Sequence, residues 1–253
     1  MSKTFDLTGR KAVVTGGSRG IGGAIVELFL EHGAEVAICH FGDGANAAAL
    51  QKRMADKGHT VHVTECDVSD SGQVAALADW ATRQLGQVDI LVNSAGVGGG
   101  DRAFELTDDQ DWDRIVGVNL RGTMLVTQAF FAPMVARKWG RVINVASQLA
   151  YKGAAGLAHY CAAKAGVVGF TRALSYEGAP HNVLVNGIAP GPVDTELLRM
   201  HSDEWLTFKK GQLPVGRFGH VDEIAPTALL LASEAGAFYV GQTLSPNGGD
   251  VML

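Results

Sequence analysis

The sequence predicts a doubly wound α/β fold on two observations: short β-branched segments alternate along the chain with longer amphipathic ones, and a glycine-rich turn joins the first of each kind. Such alternation builds right-handed strand-helix-strand units, hence a parallel sheet with helices on both faces. The strand segments are 11–15, 35–39, 60–64, 88–92, 141–146 and 183–189, each short and apolar throughout, as strands buried on both faces must be. Between them apolar residues recur at helical spacing: Ile21, Ile25, Leu28 and Phe29; Val74, Leu77, Ala78 and Ala81; Ala225, Leu229 and Ala232. The least regular stretch is 191–219, where Pro190, Pro192 and Pro214 bracket an amphipathic piece with Leu197, Leu198, Trp205, Leu206 and Phe208; a mobile lid is expected there.

Length and composition narrow the function classes. A chain of 253 residues, 47% hydrophobic, buries a substantial core, and residues 1–253 read as one domain. The net charge of -5 and scattered basic residues speak against a nucleic-acid partner. No uninterrupted apolar run approaches the roughly 20 residues of a membrane span, and the first residues lack a secretory apolar core, so a cytoplasmic protein without a membrane partner is expected. Cys39, Cys66 and Cys161 have neither disulfide nor metal-ligand spacing; reduced thiols and no metal are expected.

In doubly wound sheets the ligand crevice lies beyond the carboxyl ends of the strands. Directly after the first strand stands Thr15-Gly16-Gly17-Ser18-Arg19-Gly20-Ile21-Gly22, opening into a helix. Glycines let the backbone approach a pyrophosphate, whose charge free amides at a helix N-terminus then meet. The spacing G-x-x-x-G-x-G departs from the G-x-G-x-x-G fingerprint, so the strand-to-helix context carries the reading. A turn that merely packs helix on strand is the alternative.

Two further motifs complete the picture. The glycine turn, Asn93-Ser94-Ala95-Gly96 after the fourth strand and Tyr160-Cys161-Ala162-Ala163-Lys164 on a later helix together resemble the short-chain dehydrogenase/reductase family, over nearly the whole chain. Asn119, Ser147, Tyr160 and Lys164 match that family's catalytic positions in order and spacing, including thirteen residues from Ser147 to Tyr160. The resemblance implies a Rossmann-type, mainly parallel seven-stranded sheet and hydride transfer between a nicotinamide dinucleotide and a carbonyl or secondary alcohol. It implies a cofactor site of Gly16, Ser18, Arg19, Gly20, Ile21, Gly22, His40, Asp67, Val68, Asn93, Ala95, Gly96, Tyr160, Lys164, Pro190, Gly191, Val193 and Thr195. Within it Asp67-Val68 would contact adenine, and the Val193 backbone and Thr195 hydroxyl the carboxamide. Ser94 and Asn247 depart from the family's usual asparagine and aspartate.

Tyr160 and Lys164, four apart, share one helix face, and an ammonium beside a phenol favours the phenolate, which moves Tyr160 toward proton exchange near neutrality. The resemblance further implies that Lys164 contacts the nicotinamide ribose, Ser147 the substrate oxygen, and that Asn119 holds a water relaying protons to Lys164. Singly, each has a duller reading: core tyrosine, solvated lysine, capping serine. At the end of the second strand, where an NAD enzyme places an acid, stands His40; with Arg19 in the turn this favours NADP(H), with NAD(H) the alternative. Arg19 reads equally as a surface side chain paired with a nearby acid. The expected substrate is a small or medium carbonyl compound such as a 3-oxoacyl thioester, in a site formed by 97–104, 148–153 and 196–213. A homotetramer built on the helical stretches 108–137 and 160–178 is expected from the resemblance. The other readings are a catalytically silent dinucleotide-binding regulator or scaffold, and an isomerase or lyase that uses the cofactor transiently.

Overall fold

Seven parallel strands form the sheet of the computed structural model, which describes residues 3–100 and 102–252; Asp101 of the expected substrate loop lies outside the described residues, as do residues 1, 2 and 253. In chain order they are β1 (Lys11–Thr15), β2 (Glu35–His40), β3 (Val61–Glu65), β4 (Ile90–Asn93), β5 (Gly140–Val145), β6 (Val183–Ile188) and β7 (Thr243–Leu244), arranged β3-β2-β1-β4-β5-β6-β7. Six lie within two residues of their predicted bounds; two-residue β7 leaves no periodicity to read.

The connecting helices are α1 (Gly20–Glu31), α2 (Gly44–Asp56), α3 (Ser71–Leu85), α4 (Asp109–Val116), α5 (Thr123–Arg137), α6 (Leu149–Lys152), α7 (Ala158–Gly178), α8 (Asp203–Gln212) and α9 (Val221–Ala232). Side chains alternate across each strand, so both faces bury apolar groups. Ala12, Val14, Val36 and Ile38 meet Ile25 and Phe29 of α1, Leu50 of α2 and Leu229 of α9. Val13, Ala37 and Leu91 meet Leu77 of α3 and Val126, Phe130 and Met134 of α5 on the other face. The winding reverses where β1 pairs with both β2 and β4, which opens a crevice above their carboxyl ends.

Two features add to the sequence reading. Residues Asp109–Arg137 run as one helix, with a π-helical stretch Gly117–Gly122 joining α4 to α5. It is long and apolar enough to cross a membrane, although no uninterrupted run marks it, because polar residues are interspersed. Its α5 part packs against the sheet and α3, the position of a core helix. Secondly, Cys39 and Cys66, remote in sequence, lie in hydrogen-bonding contact as buried free thiols, because β2 and the turn after β3 point both side chains to the same face. No cluster of metal-ligating side chains occurs among the described residues.

Candidate active site

The turn after β1 is built by steric necessity. Gly16 (φ +61°) and Gly20 (φ +57°) adopt left-handed backbone, which side chains disfavour. A Cβ on Gly16 would lie 2.8 Å from Ala95 Cα, so the turns after β1 and β4 meet backbone to backbone. A Cβ on Gly22 would lie 2.3 Å from the Gly16 carbonyl oxygen, and one on Gly17 2.7 Å from Ile38. The Thr15 hydroxyl accepts the Ser94 and Ala95 amides at 3.1 Å each, fastening the two turns. No side chain caps α1, whose first amides open onto the crevice. A glycine-rich cradle facing uncapped amides fits a dinucleotide pyrophosphate.

At the ribose end, Ser18 donates to Asp43 at 2.5 Å, and Asn46 donates to the same carboxylate at 2.8 Å. The Asp43 amide donates to His40 Nδ1 at 3.3 Å. Arg19 pairs through Nε with Asp43 at 3.2 Å and through a terminal nitrogen with Glu196. The salt-bridged reading of Arg19 is therefore the arrangement observed. Asp67 accepts the amide and hydroxyl of Ser69, which leaves the Asp67-Val68 turn rigid at the crevice edge. The loop after β6 closes the far side: a Cβ on Gly20 would have Thr195 Cγ2 as its neighbour at 3.8 Å, and Gly191 presses on Asn247. The Gln148 amide donates to the Pro190 carbonyl, and Val193, buried, bridges to Gly219.

Beyond β5 lies the reactive cluster. Ser147 and Lys164 are buried, and the Ser147 hydroxyl hydrogen-bonds the Tyr160 hydroxyl. Lys164, one helical turn from Tyr160, places Nζ 5.8 Å from the Tyr160 ring centroid and donates to the Val145 carbonyl at 2.8 Å. Burial pushes the Lys164 pKa down to about 8. It pushes Tyr160 up to about 12, with the Ser147 bond offsetting part of the rise. The expected depression of Tyr160 by Lys164 is not found: desolvation of the phenol is the largest effect, and the Lys164 ammonium is turned to the Val145 carbonyl. Asn119 sits in the π-helical stretch, fully buried, with Nδ2 donating to the carbonyls of Val97 and Ile115 at 2.9 and 3.0 Å. Asn119 Oδ1 is buried without a hydrogen-bond partner and would lie 2.7 Å from a Cβ on Gly96, which places it at the cofactor crevice near Lys164.

Asn93, at the end of β4, also ties the core together. Its Nδ2 donates to Thr127 at 2.9 Å and to Asn144 at 2.8 Å, and Asn144 in turn donates to Thr171. The side chain staples β4 and β5 to α5 and α7, and it lines a small cavity with Thr15, Val68 and Ala95 at the carboxyl ends of the strands. Asn247 explains its own identity: Nδ2 donates to Ser245 and to the Val251 carbonyl, which a carboxylate cannot do. Thr15 and Glu196, which the sequence places in the turn motif and in the substrate segment, take specific partners that sequence reasoning did not assign them. Thr15 ends a strand like any β-branched residue, and Glu196 gains its partner only when the loop after β6 folds back. The 191–219 segment is tethered to the rest of the fold. Its ends join through Val193 and Gly219, and Lys209 on α8 pairs with the buried carboxylate of Asp250 at 2.7 Å. Lys152 and Gln148 also donate to Asp250.

Known proteins resemble this chain in sequence and fold. The model of the short chain dehydrogenase family matches residues 10–205. A 3-oxoacyl-(acyl-carrier-protein) reductase of Aquifex aeolicus is 37% identical over 244 residues, covering 96% of this chain and 98% of its own. Nodulation protein G of a Rhizobium species is 37% identical over 249 residues, covering 98% of this chain and all of its own. Among solved structures, a gluconate 5-dehydrogenase from Burkholderia cenocepacia in complex with NADP and tartrate superposes with a TM-score of 0.92 at 34% identity, covering 98% of this chain and 97% of that one.

Proposed function

Because the chain belongs to the short chain dehydrogenase family, and so is an oxidoreductase that works with a nicotinamide dinucleotide, we propose that Tyr160 is its acid/base and that it reduces the carbonyl of a 3-oxoacyl thioester or a similar ketone with NADPH. One observation carries the catalytic part: the Tyr160 hydroxyl is bonded to Ser147 and stands one helical turn from buried Lys164, beside the glycine cradle. The cradle of Gly16, Ser18, Gly20, Ile21 and Gly22 would hold the pyrophosphate; His40, Arg19, Asp67 and Val68 the adenosine half; Ala95, Gly96, Pro190, Gly191, Val193 and Thr195 the nicotinamide half. When bound, the cofactor supplies the hydride that the carbonyl carbon accepts.

The chain's own residues supply the rest. Ser147 donates a hydrogen bond to the carbonyl oxygen and polarises it, and the Tyr160 phenol delivers its proton as that oxygen becomes an alkoxide. Lys164 replaces the proton that Tyr160 gives up, and Asn119, whose free Oδ1 faces it, connects it to solvent. A silent dinucleotide-binding role would need the loss of Ser147, Tyr160 or Lys164, and all three are in place.

The thioester reading follows from the acyl-carrier reductases among the relatives; NADPH follows from Arg19 and His40 and from the NADP-bound gluconate dehydrogenase. We further read residues 1–253 as one domain with 191–219 closing the substrate site, and the protein as a cytoplasmic homotetramer. Met124 on α5 and Tyr176 on α7, exposed and apolar on adjacent helices, support an intersubunit face. Absorbance at 340 nm tests the activity: NADPH is consumed with an acetoacetyl thioester, and Tyr160→Phe stops consumption while NADPH affinity stays. Turnover retained by Tyr160→Phe would overturn the assignment.

A further inference from the structure

Arg19 is held from two sides that differ in kind. Asp43 precedes α2 and is fixed by Ser18 and Asn46, so its pairing with Arg19 Nε belongs to the rigid frame. Glu196 comes from the other wall of the crevice, one residue after Thr195, and takes a terminal guanidinium nitrogen. The Glu196 and Arg19 side chains are 59% and 49% exposed, so their pair is wet, weak and replaceable. An aryl or alkyl phosphate dianion offers the same guanidinium more charge and more acceptor oxygens than one carboxylate.

We propose that Glu196 is a built-in competitor for the 2′-phosphate of the dinucleotide: it occupies a terminal nitrogen of Arg19 until that phosphate displaces it, and so sets how strongly the enzyme discriminates NADPH from NADH. This rests on the reading of Arg19 as the 2′-phosphate partner. Asp43 keeps Nε throughout and orients the guanidinium, while a terminal nitrogen exchanges one acid for another. A cofactor without the 2′-phosphate has nothing to put in place of Glu196 and leaves the pair intact. The exchange also reaches the substrate side, because Leu197, the next residue, lies against Gly98 of the loop after β4, where a Cβ would meet it at 2.6 Å. Glu196 is thus a specificity-determining residue without touching the reacting atoms.

The test is a fluorescence titration with NADPH and with NADH of the wild type, Glu196→Gln, Glu196→Asp, Arg19→Ala and the Arg19→Ala/Glu196→Gln double variant. Glu196→Gln is expected to tighten NADPH about three- to fivefold and leave NADH unchanged, the size of one exposed ion pair. Glu196→Asp, which keeps the charge, stays near the wild type, and the gain shrinks as salt screens the pair. In the Arg19→Ala background Glu196→Gln has no effect on either cofactor. An unchanged NADPH to NADH ratio in Glu196→Gln, or a gain that persists without Arg19, overturns the proposal. A wild type that prefers NADH overturns the NADPH reading alone: the competition stands if Glu196→Gln still moves the ratio toward NADPH, and falls if it does not.

Discussion

Tyr160 and Lys164 are both shifted by burial, in opposite directions, because desolvation disfavours the charged form of each. With its pKa at about 12, Tyr160 holds its proton across the neutral range, the state that carbonyl reduction needs. Reduction is therefore expected to proceed at pH 7 and alcohol oxidation, which needs the phenolate, to speed up from pH 7 to 10; initial rates in both directions check this. For Lys164 the sign is also fixed. Its pKa of about 8 lies below the 10.5 of a free lysine, so below pH 8 the folded protein bears the full cost of a buried ammonium. Between 8 and 10.5 the unfolded chain holds a proton the folded one has lost, and stability rises with pH. Lys164→Met removes that rise. Urea denaturation of both proteins at pH 7 and pH 10 should show the difference between them moving by about 2 kcal/mol in favour of the wild type.

At the scale of elements, turns and tethers decide the site. The close approach of Gly22 to the Gly16 carbonyl means that Gly22→Ala must open the turn, and dinucleotide affinity should fall at least about tenfold while the far-UV circular dichroism stays. Asp250 joins the C-terminal segment to α6 through Lys152 and to α8 through Lys209. Asp250→Asn leaves both ammonium groups without their carboxylate, Lys209 in a mostly buried position. A loss of about 1–3 kcal/mol is expected, discounted because Lys152 reaches solvent. Hydrogen exchange should quicken in Asp203–Gln212 ahead of the sheet, and KM for the substrate should rise more than kcat falls. Equal quickening everywhere would place Asp250 in general stability only. The π-helical stretch belongs to this scale too: it carries Asn119, whose Nδ2 is held by the Val97 and Ile115 carbonyls so that Oδ1 is left at the crevice beside Gly96.

Across the whole molecule, one sheet gathers the site from turns distant in sequence, and its exposed apolar residues make a prediction of assembly. Light scattering should find four protomers, and Tyr176→Glu should reduce that number, as a charge on an apolar face resists burial between subunits. The sequence by itself determined the doubly wound architecture, six of the seven strands, the glycine turn and the order Asn119, Ser147, Tyr160, Lys164. Those features are legible because hydrophobic period, β-branching and motif spacing are local properties of the chain. Only the tertiary structure decided that Asn93 staples β4 to β5, that Arg19 lies between Asp43 and Glu196, that Asp250 holds the 191–219 segment, and that burial raises the Tyr160 pKa despite Lys164. Each depends on which groups remote in sequence meet at short range and how much water is removed between them, and no local pattern encodes either.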